Sequence, residues 1–246
     1  MMMTQMEPQS LNTPNLSPDE EIALSAPISS RVSPWLAPLA YLLGCRIVLP
    51  LHFGKIATFG QENLPKTGPV ILAPTHRSRW DAVVVPAVTG RTVTGRDLTF
   101  MVSENEASGL QGWFVRRLGG FPVNTDRPSI RTLRYGVEVL LQQEMLVIFP
   151  EGNIFRDGLV HPLKPGLARL AVSAEATHPG LGVQVVPIGL KYSQSYPQWG
   201  CDVSICIGSP LKVADYNVGS VKQSAKQLTI DLENNLKVLT GTEGTN

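Results

Sequence analysis

A chain of 246 residues with 21 basic and 20 acidic side chains carries a formal charge of +1. That balance argues against a dedicated nucleic-acid binder, whose domain would be strongly basic, and the length suits one well-buried core. Three cysteines, Cys45, Cys201 and Cys206, have no metal-ligand companions and read as small buried hydrophobes in a reducing compartment.

Residues 1–30 mix Gln, Asn, Ser and Pro with the acidic run Asp19-Glu20-Glu21. They have neither the basic start and apolar core of a secretory signal nor the Arg-rich bias of a transit peptide, and are expected to be a disordered tail. Residues 31–56 hold the most apolar stretch, Pro34 to Pro50, interrupted by Arg46. It falls short of the ~20 clean apolar residues of a spanning helix. Trp35 and Tyr41 beside leucines, with Arg46 beyond, suit a segment lying in a membrane interface; the competing reading is a helix docked on the protein's own core.

Residues 57–240 alternate strand and helix signals. Strand patterns fall at Val70 to Ala73, Leu98 to Val102, Phe121 to Val123, Leu146 to Phe149, Val183 to Leu190 and Val203 to Ile207. Helical periods run through Ile130, Leu133, Val137, Leu140 and Leu141, then Leu167, Leu170, Ala171 and Ala174, and finally Leu228, Leu232, Leu236 and Leu239. The alternation predicts a single α/β domain with a mostly parallel or mixed sheet flanked by helices. Its strand order is not derivable from this pattern.

The most informative segment is His76-Arg77-Ser78-Arg79-Trp80-Asp81. Helical positions five apart are rotated by roughly 140° and do not face each other. Contact between His76 and Asp81 therefore requires the histidine on the loop after Val70-Ile71-Leu72-Ala73-Pro74, with Asp81 in the first turn of a helix through Ala82-Val83-Val84-Val85. A base held in one tautomer by a carboxylate suits hydroxyl deprotonation; the bland alternative is a capped loop histidine. Gly90 to Asp97 has the glycine spacing of a phosphate loop but lacks its Lys and Ser/Thr, and no Gly-x-Ser-x-Gly elbow is present. His52, His161 and His178 are scattered, so no metal is implied.

Four blocks in order resemble the glycerolipid acyltransferase family, which includes 1-acylglycerol-3-phosphate and glycerol-3-phosphate acyltransferases. They are His76 with Asp81, Gly119 to Arg127, Phe149-Pro150-Glu151-Gly152, and Val185-Val186-Pro187-Ile188-Gly189. Two positions depart from the family's pattern: Thr75 stands where Asn often precedes the histidine, and Asn153-Ile154-Phe155-Arg156 replaces a Thr-Arg continuation.

The resemblance implies acyl transfer from acyl-CoA or acyl carrier protein to the hydroxyl of 1-acylglycerol-3-phosphate, with no cofactor. His76 would be the general base and Asp81 its orienting partner. Arg127 would bind the acceptor phosphate, and Glu151 and Gly152 would shape the acceptor site; Arg77, Arg79, Arg156 and Lys164 are weaker phosphate candidates. Acylation of glycerol-3-phosphate or another lysophospholipid is the near alternative. A non-catalytic lipid-binding membrane protein and a thioester hydrolase are the alternatives of other classes. A peripheral or monotopic place on the cytoplasmic side of a membrane is part of the same expectation.

Overall fold

The computed structural model describes residues 32–104, 109–124 and 129–242. The expected tail at 1–30 and Arg127 lie outside the described residues. Among the described residues eight strands form one sheet: β1 (Phe53–Phe59), β2 (Val70–Pro74), β3 (Leu98–Ser103), β4 (Gly120–Val123), β5 (Met145–Val147), β6 (Gln184–Tyr192), β7 (Cys201–Ile207) and β8 (Leu211–Lys212). Their order is β1-β7-β6-β2-β5-β3-β4, with β8 on β6. From β6 through β4 the strands are parallel, whereas β7 and β8 run antiparallel to β6. The sheet is therefore mixed.

Strand β2 sits at the centre, paired to β5 on one side and β6 on the other. All five of its residues are buried, as an apolar run covered on both faces should be. Its side chains alternate between two cores. Ile71 and Ala73 point into one, with Leu140, Leu170, Leu228, Leu232 and Leu236. Val70 and Leu72 point into the other, with Val84, Val85, Val88 and Leu49.

The first core is closed by helices α6 (Ile130–Leu141), α7 (Gly166–Thr177) and α8 (Val221–Thr240). Ser129 caps α6 by accepting from Thr132 N, and a reciprocal Ser220–Gln223 box caps α8. The second core is closed by α3 (Asp81–Thr89) and α2 (Leu49–His52). Before α2 come α1 (Leu36–Leu43) and a π-helical turn (Gly44–Val48). The other α-helices of the described residues are the short α4 (Arg91–Thr94) and α5 (Gly109–Arg117).

The N-terminal helical run docks one face on the protein's own core and leaves the other exposed. Ala37 and Leu49 are buried inward, and the Tyr41 ring lies against Gly90. Trp35, Leu39, Leu42, Leu43, Ile47 and Leu51 remain exposed on the outside. Tyr41 thus belongs to the docked face, not to an outer aromatic belt with Trp35. The boundary drawn at residue 56 falls inside β1, so the folded domain takes in Phe53–Phe59. Among the described residues no helix is long and apolar enough to cross a membrane.

Candidate active site

Proline at the end of β2 stops the strand, and Thr75 carries its pairing one residue further. Its N–H donates to Ile188 O (2.9 Å) and its hydroxyl accepts from Leu190 N (2.9 Å). His76 follows on the loop and Asp81 is the first residue of α3. Nδ1 of His76 lies 2.8 Å from Asp81 Oδ2.

Asp81 is fully buried, and a buried carboxylate must be met by donors. Oδ2 also accepts from Arg77 N (2.7 Å) and Ser78 N (2.9 Å), and Oδ1 accepts from Tyr192 Oη (2.6 Å). The loop is thus wound around the carboxylate. Burial, and then the adjacent Asp81 charge, push the Tyr192 hydroxyl far above the usual tyrosine range. It stays a donor at any working pH. With Nδ1 facing the carboxylate, Nε2 is left as the basic nitrogen. The His76 ring stacks on Phe149, centroids 4.0 Å apart, which fixes its second face.

Glu151 approaches the same loop from the end of β5. Its Oε2 accepts from His76 N (2.8 Å) and its Oε1 from His161 N (3.0 Å). Arg77 Nη1 reaches both oxygens, at 2.9 and 3.1 Å. These four contacts occupy the carboxylate's acceptor sites. Glu151 therefore braces the loop from behind, which departs from the expectation that it receives acceptor hydroxyls. Arg77 is buried in this pair and unavailable as a phosphate ligand, although its Nη2 has no hydrogen-bond partner among the described residues. Phe155 N closes the circuit by donating to His76 O (2.9 Å).

Gly152 has φ +70°, and a Cβ there would lie 2.7 Å from Cδ and Cε of Lys164. The close approach that needs glycine is thus made by Lys164. Arg156 lies over the Tyr196 ring at 4.8 Å, outside the cavity lining. Gly90 to Asp97 holds α4 and an Arg91–Asp97 ion pair.

A cavity of about 1040 Å³ opens beside His76. Its polar end is formed by His76, Arg79, Glu151, Gly152, Asn153 and Lys164. Its other walls are mostly apolar, with Ala37, Val83, Pro86, Leu98, Phe100 and Val115 from α1, α3, β3 and α5. Sequence reasoning missed Tyr192 and the bracing role of Glu151. No local signal marks either, because their partners lie 111 and 75 residues away.

A family model described as Acyltransferase matches residues 55–191. The 1-acyl-sn-glycerol-3-phosphate acyltransferase of Bacillus subtilis (strain 168) is 22% identical over 202 residues, covering 79% of this chain and 96% of that protein. The mitochondrial glycerol-3-phosphate acyltransferase 1 of Sus scrofa is 29% identical over 154 residues, 58% of this chain. The matched region is only 18% of that longer relative's length. In fold, the chain resembles the crystal structure of the 1-acyl-sn-glycerophosphate (LPA) acyltransferase PlsC from Thermotoga maritima. The TM-score is 0.65 at 20% identity, over 86% of this chain and 80% of that one.

Proposed function

The chain belongs to the Acyltransferase family, and from that premise we propose that it transfers a fatty acyl group from a thioester to the hydroxyl of 1-acylglycerol-3-phosphate, giving phosphatidate for phospholipid biosynthesis. The observation that carries this reading is the His76–Asp81 pair at the polar end of a largely apolar cavity. Nε2 of His76 takes the acceptor hydroxyl proton as that oxygen attacks the thioester carbonyl. The C–S bond breaks as the tetrahedral centre collapses, and the imidazolium returns its proton to the departing thiolate. Asp81 holds the tautomer and offsets the imidazolium charge. The nucleophile is the substrate's own hydroxyl, so no acyl-enzyme forms.

Arg79 and Lys164, on the cavity wall, face the acceptor phosphate in this reading; Arg127 is proposed as a phosphate ligand on the resemblance alone. Acyl-CoA and acyl carrier protein both supply the required thioester. The outward apolar face of Trp35 to Leu51 supports a peripheral or monotopic reading, in which that face lies in a membrane interface. Acylation of glycerol-3-phosphate itself is the second reading, favoured by the 29% identity to the mitochondrial relative.

The test incubates purified protein with radiolabelled acyl-CoA or acyl carrier protein and with lysophosphatidate, glycerol-3-phosphate or no acceptor. Phosphatidate is the expected product, reduced at least ~100-fold by His76→Ala, the scale of a lost general base. Lysophosphatidate from glycerol-3-phosphate would move the reading one step upstream. Free fatty acid without acceptor would make the protein a hydrolase, and no turnover in a folded protein would leave a lipid-binding role.

A further inference from the structure

Two arginine–aromatic pairs flank the N-terminal helical run, one at each end. At its start, Ser33 N donates to Arg117 O (2.8 Å), tying it to α5, where the Arg117 guanidinium lies 4.5 Å above the Trp113 ring. At its end, His52 O accepts from Gly200 N (2.7 Å), tying it to the loop between β6 and β7. That loop carries Trp199, 5.8 Å from the His52 ring, and Tyr196, with Arg156 above it at 4.8 Å. The 17 residues from Leu36 to His52 separate the two pairs by roughly 25 Å at a helical rise of ~1.5 Å per residue.

These regions are alike in exposure and charge. Trp199 is 73% exposed and Tyr196 68%, and Leu110, Trp113 and Phe114 form an exposed i, i+3, i+4 stripe on α5. None of the 20 acidic residues lies in 32–52, 109–119 or 193–200, while Arg46, Arg116 and Arg117 do. Asp202, just beyond the loop, is turned to Lys55 N (2.7 Å). Asp157, next to Arg156, is paired with His161 Nε2 (2.7 Å). Amphipathic rings beside arginines match the chemistry of an anionic headgroup layer over acyl chains.

We infer that Trp113 with Arg117 on α5, and Tyr196 and Trp199 with Arg156 at the β6–β7 loop, are two further anchors that seat the protein on an anionic glycerophospholipid surface at both ends of its apolar helix. The inference rests on the membrane reading above and adds where the contacts are. It also bears on access. α5 lines the cavity through Val115, and the loop begins next to Tyr192, the donor to Asp81. Docking at both ends therefore lays the cavity's helical wall along the lipid.

The experiment is sedimentation of the full chain with vesicles of phosphatidylcholine and phosphatidylglycerol. Trp113→Ala/Arg117→Ala and Tyr196→Ala/Trp199→Ala are each expected to lower vesicle affinity at least fivefold, the counterpart of ~1 kcal/mol per basic residue near an anionic surface, or of comparable ring burial. Val238→Ala on α8, which is exposed away from these contacts, is expected to change nothing. Absence of wild-type binding would remove the membrane reading itself. Binding lost in Leu43→Ser but intact in both paired variants would overturn this inference and leave that reading standing. Paired variants that bind vesicles normally yet lose rate with acyl carrier protein would assign the surface to a protein partner instead. Should either paired variant fail to fold, bromine-labelled lipid chains decide: they are expected to quench wild-type tryptophan emission more than that of Trp113→Phe/Trp199→Phe, and equal fractional quenching would overturn the inference.

Discussion

The loop from Thr75 to Asp81 and the helical run from Leu36 to His52 use opposite strategies. In the loop nearly every polar group is committed. One carboxylate gathers His76, Arg77, Ser78 and Tyr192, and another gathers Arg77, His76 and His161. The helix spends its inner face on packing and leaves large apolar side chains facing outward. The loop gains a fixed geometry, and the helical run keeps an exposed apolar face. Substitutions in the first region should therefore cost stability and turnover together, and those on the outer face of the second should cost neither.

Glu151→Ala should break the first region most. It strands Arg77 in a buried site, a loss of ~3–5 kcal/mol for a broken buried pair. At 2–4 °C per kcal/mol for a chain of this size, calorimetry should record a fall of about 6–20 °C, with activity largely lost. Tyr192→Phe removes a hydrogen bond to a charged group, worth ~1.5–3 kcal/mol. Turnover should fall about tenfold with acceptor KM unchanged; a changed KM with normal kcat would argue that Tyr192 acts on substrate binding instead.

The same tyrosine predicts alkaline behaviour. The folded state holds the Tyr192 proton above the ordinary value near 10, as it does that of Tyr41, pushed up to about 12 by burial. The unfolded chain releases these protons first, so stability is retained below pH ~10 and declines as pH rises beyond it. Denaturant titrations from pH 8 to 11 should show the decline, and it should be shallower in Tyr192→Phe. Gly152→Ala forces a Cβ into left-handed backbone against Lys164 and should cost ~1–2 kcal/mol, with a raised KM for the acceptor as Lys164 shifts. At the small end, Leu43→Ser with Ile47→Ser should change stability by under ~0.5 kcal/mol and leave turnover of detergent-dispersed acceptor intact. A large destabilisation there would mean that the outer face is part of the core and erase the contrast.

What the sequence made legible follows the same division. His76 and Asp81 were readable because the constraint is local: a strand, a breaker and a five-residue offset leave one arrangement in which they touch. The apolar runs that became β2, β5 and β6 were readable because sheet strands covered on both faces are uniformly apolar. β1 was not, since Gly54, Lys55 and Thr58 interrupt Phe53–Phe59 at an edge that pairs only with β7. Tyr192 was invisible for another reason. Its value lies in a contact to Asp81 that exists only because β6 pairs with β2, and strand order is not written in periodicity. Glu151 was readable as a site residue but not as a brace, because the donors filling its oxygens come from two separate loops.

The π-helical turn at Gly44–Val48 has a consequence for how the N-terminal run can vary in length. Such a turn houses one residue more than an α-helix needs over the same axial distance. Removing a single residue within it would restore ordinary helical pairing while leaving Ala37 and Leu49 in their present rotational phase. Removing one from α1 would turn everything after it by ~100° and bring Leu42 or Leu43 where an inward residue belongs. The surplus residue acts as a slack link: it absorbs a deletion that would be ruinous a turn earlier, and it does so beside Cys45, where the cavity wall would change shape without the helix losing its seat.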